Sequence, residues 1–273
     1  MSERPTRIVV DLDALGENLR AIGAHVGVPV MSIIKANAYG HGLVPVAHSL
    51  QAHGCGQFGV AFVEEGVALR RAGITVPVLV LGGILGRQVA QLIVHDLEIS
   101  VSSLDKLRQV EAAAEALQRK ATIHLKVDTG MERIGVHSYS CGPLIEAAVV
   151  SPWVTVKGIY SHLACADDPA SPMTAVQLGR FREACAHFDR IGAPMPIRHL
   201  ANSGGVLHHP DTWLDMVRRH LDAEGLPLDE GDAIAFALAR GGRSGRTAWH
   251  YRTELLTRRA AAGSPKEVIG SAE

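Results

Sequence analysis

Residues 30–42 read Val30-Met31-Ser32-Ile33-Ile34-Lys35-Ala36-Asn37-Ala38-Tyr39-Gly40-His41-Gly42. The first five make a short, mostly β-branched or apolar run, which reads as a buried strand. Lys35 closes the run, and a loop of small residues with two glycines and a phenol follows. Seven further runs of this kind lie at 57–63, 76–81, 97–101, 122–127, 155–161, 197–201 and 214–217. Helical stripes separate them, such as Leu104-Leu107-Val110 before Leu117, and Leu178-Phe181-Cys185-Phe188. Strands alternating with helices build βαβ units and a parallel sheet, and eight such units predict an α/β fold closed as a (β/α)8 TIM-type barrel. An extra run at 8–12 precedes the first barrel strand, and Asp13 reads as the N-cap of a helix carrying Leu15, Leu19 and Ile22 on one face. The chain divides into an N-terminal strand (1–12), a barrel (13–218) and a divergent tail (219–273) rich in Ala, Gly and Arg. A short helix fits 232–240, and the tail as a whole is expected to be poorly ordered.

The length of 273 residues suits one such barrel. Hydrophobic residues are 47% and charged residues 20%, enough apolar material for a packed core. Aromatics are only 4%, so the interior is expected to consist mainly of Val, Ile, Leu and Ala. With 27 Lys+Arg against 28 Asp+Glu the net charge is −1, which argues against a nucleic-acid partner. Neither a membrane-length apolar run nor a secretion signal is present, and a cytoplasmic protein is expected. Cys55, Cys141, Cys165 and Cys185 have no C-x-x-C spacing and read as small buried hydrophobes in a reducing compartment, with no metal site. The histidines show no ligand spacing. Gly54-Cys55-Gly56-Gln57-Phe58-Gly59 runs into a strand instead of leaving one, which makes it a turn and not a dinucleotide loop.

The polar residues of interest fall at strand carboxyl ends: Lys35, then Asp128, Thr129 and Arg133, then His162, then Asn202 and Ser203, then Arg218. In a parallel barrel those ends share one rim, where active sites of this architecture lie. A lone lysine at a strand end ordinarily snorkels to water. An apolar setting disfavours the ammonium form, however, and the free amine can attack an aldehyde to give a Schiff base. Ala201-Asn202-Ser203-Gly204-Gly205 opens a short helix. Alone it is an ordinary βα turn; beside such a lysine it reads as a phosphate cradle. Together the two features point to pyridoxal 5′-phosphate, whose ring is an electron sink. Single arginines usually make surface ion pairs. On this rim Arg133 and Arg218 can instead donate to a ring oxygen or nitrogen, and a guanidinium at the pyridine nitrogen keeps that nitrogen unprotonated. His162 is equally readable as a satisfied strand-end histidine or as an orienting partner of such an arginine.

The loop 35–42 resembles the cofactor-lysine signature of bacterial alanine racemases. Lys126-Val127-Asp128-Thr129-Gly130-Met131-Glu132-Arg133-Ile134-Gly135 is similar to that family's second hallmark, and Ser161-His162-Leu163-Ala164-Cys165-Ala166-Asp167 and Ala201-Asn202-Ser203 follow in the family's order. The resemblance implies interconversion of L- and D-alanine, the latter used in peptidoglycan. It makes Lys35 the catalytic and cofactor-bearing amine. Tyr39 and Ser203 would contact the phosphate, with Asn202 beside them. Arg133 would sit near the ring oxygen and the substrate carboxylate, and Arg218 at the pyridine nitrogen with His162 hydrogen-bonded behind it. The family's homodimer, C-terminal β domain and opposite-face tyrosine have no counterpart after Arg218, where Arg219-His220-Leu221 replaces the usual continuation and Tyr251 stands in the wrong setting. A truncated or frameshifted gene is the expectation, with weakened cofactor binding, impaired racemisation and an unpaired edge at 8–12. Two other readings share the barrel: a pyridoxal-phosphate amino-acid decarboxylase, which the wording of 35–42 disfavours, and a cofactor-binding protein without racemase activity.

Overall fold

The computed structural model describes residues 9–220 and 267–268. Strands are β1 (Val9–Val10), β2 (Val30–Ile33), β3 (Gln57–Val60), β4 (Val78–Val80), β5 (Glu98–Val101), β6 (Ala121–Asp128), β7 (Val136–His137), β8 (Val154–Tyr160), β9 (Ile197–His199), β10 (Val217–His220) and β11 (Glu267–Val268). Helices are α1 (Leu12–Val26), α2 (Lys35–Tyr39), α3 (Leu43–Ala52), α4 (Val63–Arg71), α5 (Val89–Val94), α6 (Leu104–Leu117), α7 (Gly142–Val150), α8 (Met173–Arg190) and α9 (Ser203–His208). Parallel ladders run in the order β10-β2-β3-β4-β5-β6-β8-β9, with β7 set against the end of β6. Each predicted barrel run contributes one strand of this ring. The remaining gap, between β9 and β10, is crossed by backbone bonds from Asp215 N to Arg198 O (3.2 Å) and from Arg218 N to Ala201 O (3.0 Å). The Arg198 guanidinium also makes two 2.8 Å bonds to the Asp215 carboxylate. The protein is therefore a (β/α)8 barrel.

Three expectations need correction. The N-cap of α1 is Asp11, whose extended backbone lets its carboxylate accept from Ala14 N at 2.9 Å; Asp13 sits inside the first turn. The extra strand is not left unpaired, because β1 pairs antiparallel with β11. The last barrel strand lies three residues later than predicted, paired with β2 from Val217↔Val30 to His220↔Ile33. A boundary at 218 therefore cuts through β10. The expectations for the rest of 219–273 lie outside the described residues, apart from β11.

Between strands and helices the core is apolar: Ile99, Ile123, Leu125 and Val127 pack in one cluster with Leu107, Val110, Phe181 and Phe188, all essentially inaccessible. Burying each such side chain contributes roughly 1.5–3 kcal/mol. The interior is mainly Val, Ile, Leu and Ala, as expected from the low aromatic content, but the lumen is more polar. Met31, Ile33, Leu79 and Met216 form a small apolar plug, and Gln57, Glu98, Ser100, His124, Lys126, Tyr160, His199 and Arg218 are buried besides. Buried polar groups persist only where they are hydrogen-bonded, and all of these but Lys126, whose ammonium stands over the Tyr160 ring at the cavity wall, are bonded to one another, as described below. Cys55, Cys141 and Cys185 are buried and Cys165 is half-buried, all as free thiols. Among the described residues no helix is long and apolar enough to cross a membrane, and no cluster of His, Cys, Asp and Glu could hold a metal.

Candidate active site

At the carboxyl ends of the strands a cavity of about 420 Å³ opens, within the range of small-molecule sites. Its lining includes the seven residues given a role at the site above, Lys35, Tyr39, Arg133, His162, Asn202, Ser203 and Arg218, from five separate segments of chain. Lys126, Tyr160, Gly204 and His220 complete the polar part of the wall.

Lys35 lies two residues past the end of β2, at the start of α2, and is half-buried. The residues after it, Ala36, Asn37, Ala38 and Tyr39, all take left-handed backbone angles, with φ of 54°, 56°, 51° and 54°. This left-handed turn is held from both ends. Ala38 N donates to Ile34 O, and Asn37 Oδ1 accepts from Leu43 N, each at 2.8 Å. Glu65 of α4 accepts with Oε1 from Ala36 N at 2.6 Å and with Oε2 from Ala61 N at 2.8 Å, tying the lysine loop to the end of β3. The turn brings the Tyr39 ring against that of His220, with centroids 3.7 Å apart.

Arg133 is aimed by Asp128, whose carboxylate accepts from the backbone N–H groups of Gly130, Met131, Glu132 and Arg133 at 2.8–3.2 Å. Burial opposes that charge, but the four donors outweigh it and hold the carboxyl below its usual range. Asn202 caps α9 by accepting from Gly205 N at 3.0 Å, and its amide nitrogen donates to Leu163 O at 3.2 Å. Both ends of that amide are thereby committed to shaping the turn. Ser203 is fixed by β10: its hydroxyl accepts from His220 N at 3.3 Å, and its carbonyl accepts from Arg219 Nη1 at 3.2 Å. Arg219 and His220, read from sequence as the start of the divergent tail, thus hold the turn expected to meet a phosphate.

Arg218 is completely buried. Its Nη2 donates to Ser161 O (2.5 Å) and Leu200 O (2.8 Å), and its Nη1 to His199 O (3.2 Å) and His199 Nδ1 (3.3 Å). The histidine behind it is His199, not His162, because β9 carries His199 into the lumen beside β10. His162 lines the cavity. Burial, then the charges of Arg218 and Lys126, push its pKa down to about 3, so it is neutral at ordinary pH. Burial lowers the Arg218 pKa to about 10, which leaves the guanidinium charged. Lys126, which stands 4.2 Å over the Tyr160 ring, is driven well below the usual lysine range by burial and by Arg218 and Arg133. Tyr160 stacks on His199 and exchanges a 2.6 Å hydrogen bond with Ser100. Sequence reading passed over Lys126 as a site residue, although alternation along 122–128 places His124, Lys126 and Asp128 on one strand face.

Among the described residues the lining carries the lysines and arginines Lys35, Lys126, Arg133 and Arg218 and no carboxylate. That donor set fits a small ligand bearing several negative charges, and an amine, a hydroxyl-bearing turn and a charged guanidinium would suit the aldehyde, phosphate and ring nitrogen of pyridoxal phosphate. Fold and site together define an α/β barrel built to hold a phosphorylated cofactor at its carboxyl-end mouth. Comparison with known proteins narrows this. The family described as alanine racemase, N-terminal domain, matches residues 10–219. The alanine racemase of Symbiobacterium thermophilum is 41% identical over 237 residues, 86% of this chain and 63% of that one. That of Thermobifida fusca is 38% identical, over 80% and 59%. The structure of the alanine racemase from D-cycloserine-producing Streptomyces lavendulae superposes with a TM-score of 0.78 and 38% identity, covering 85% of this chain and 62% of that one. The chain belongs to the alanine racemase family, a pyridoxal-phosphate-dependent family of isomerases. It spans less than two thirds of the length of these relatives.

Proposed function

We propose that this chain binds pyridoxal 5′-phosphate and acts in the interconversion of L- and D-alanine, supplying D-alanine for peptidoglycan precursors. The observation that carries the proposal is the cavity in which Lys35, Arg133, Arg218 and Ser203 meet with no carboxylate among the lining residues. We assign the cofactor to the barrel, 13–220. Bound there, the cofactor draws electrons from the substrate α-carbon and makes its proton labile. The amine of Lys35 would hold the aldehyde carbon as a Schiff base, with loss of water, and would take or return the α-proton on its own face. Ser203, Gly204 and Tyr39 would hold the phosphate, Arg133 would meet the ring oxygen and the substrate carboxylate, and Arg218 would donate to the ring nitrogen without releasing a proton to it.

Inverting the α-carbon requires a second acid/base group on the opposite face. We assign that group to residues outside those described. The Lys35 face alone is expected to exchange the α-proton of one alanine enantiomer with solvent deuterium. The homodimer of the family is likewise part of the proposal. The deciding measurement is borohydride reduction of the chain with pyridoxal phosphate, followed by peptide mass spectrometry. A pyridoxyl mass on Lys35, lost in Lys35→Ala, supports the reading. The same mass on Lys126, or on no lysine of the cavity, rejects it. Cofactor capture with no deuterium entering alanine identifies a binding protein without the activity.

A further inference from the structure

Below the cavity, side chains from four strands form one hydrogen-bonded line through the lumen. Arg218 Nη1 is 3.3 Å from His199 Nδ1, His199 Nε2 is 2.8 Å from His124 Nδ1, and His124 Nε2 is 3.0 Å from Glu98 Oε2. Glu98 also accepts from Gln57 Nε2 at 2.6 Å and from the Lys157 ammonium. Both imidazoles are fully inaccessible, so water does not interrupt the line.

Proton counting leaves one arrangement. A guanidinium has donors and no acceptor, so the Nδ1 of His199 that faces it is bare and the proton of that ring is on Nε2. That N–H needs an acceptor, so His124 Nδ1 is bare and its Nε2–H points to the carboxylate. Reversing either ring sets two N–H groups, or two lone pairs, against each other. Burial, more than any other cause, keeps both rings neutral.

We propose that Glu98 is a positioning residue for Arg218: its carboxylate fixes the tautomers of His124 and His199, and these present a bare nitrogen that holds the guanidinium at the cavity floor. The line ends at Lys157 and Gln57, which also line a second cavity, of about 710 Å³. The charged end of the chain is thus anchored away from the site. The effect on cofactor binding rests on the reading of Arg218 as partner of the ring nitrogen; the tautomers do not.

The test is a nitrogen-15 spectrum of the full chain labelled at histidine, with His124 and His199 assigned by substitution. Both rings are expected protonated on Nε2 and bare on Nδ1. Glu98→Gln, whose amide can donate as well as accept, is expected to give a mixture of tautomers and to weaken pyridoxal phosphate binding, followed by absorbance, about tenfold. Glu98→Asp keeps the carboxylate and is expected to keep the tautomers; where Glu98→Gln does not fold, it and the parent spectrum carry the decision. A proton on Nδ1 of His199 in the parent chain overturns the proposal. So do unchanged tautomers in Glu98→Gln, even with lowered stability. A chain with the fixed tautomers that takes up no cofactor refutes the proposed function and leaves the line intact.

Discussion

The four left-handed residues after Lys35 are costly. An L-residue in this region loses roughly 1–2 kcal/mol, and only glycine escapes the penalty, yet Ala36, Asn37, Ala38 and Tyr39 all adopt it in succession. Strain of this kind survives only where the surroundings over-determine it. Here a single carboxylate, Glu65, meets four backbone donors, those of Ala36, Asn37, Ala61 and Phe62. Glu65→Gln replaces one accepting oxygen with a donor that faces N–H groups. Three of these donors are exposed and Ala61 N is half-buried, so each bond lost costs only about 0.5–1.5 kcal/mol. The expected outcome is a lower melting temperature together with weaker capture of pyridoxal phosphate by Lys35. Equal melting temperatures for variant and parent would show that the clamp is not needed. Nothing in the sequence singles out Glu65, because a helix residue about thirty positions away carries no periodic signal pointing to a loop.

At the level of elements, the strands were legible because apolar, β-branched runs between helical stripes have few other solutions. Reading failed where a strand is polar. β10 ends Arg218-Arg219-His220, which looks like a loop, but one arginine is satisfied by carbonyls and a histidine in the lumen and the other grips the Ser203 carbonyl. Leu214, assigned to that strand from its apolarity, has a φ of 52° and belongs to the preceding turn. The segment joining β6 to β7 offers a sharp test. Gly135 has a φ of 139°, and a Cβ there would stand 2.7 Å from Asp128 N and 2.9 Å from Val127 C, both backbone atoms that cannot swing aside. Gly135→Ala is expected to destabilise by about 1–3 kcal/mol and to displace Arg133. Denaturant unfolding reads the first effect and cofactor affinity the second. A variant as stable as the parent would show that this turn relaxes freely.

For the whole molecule, the polar lumen sets the response to acid. His124, His162 and His199 all have folded pKa values below the 6.5 of a free histidine, chiefly from burial, that of His162 reaching about 3. Unfolding therefore takes up protons between those lowered values and 6.5, so stability rises with pH through that window and is level above it. His162, with its folded value of about 3, accounts for roughly 1 kcal/mol lost at pH 5.5 relative to neutrality, and His124 and His199 act in the same direction. Melting temperatures measured from pH 8 down to 5 are expected to fall below about pH 6.5, less steeply in His162→Gln; a flat profile would show these rings charging freely in the folded state. The meeting of β9 and β10 has its own consequence. Every other junction of the ring is a ladder, whereas this one is fastened by side chains, the bidentate Arg198–Asp215 pair and the Arg218 guanidinium on the carbonyls of His199 and Leu200, and by isolated amide contacts. The ring thus has a clasp among welds. Amides flanking it are expected to trade deuterium before those of β5 and β6, and since Arg218 rides on the clasp's edge, each opening carries the floor of the cavity with it.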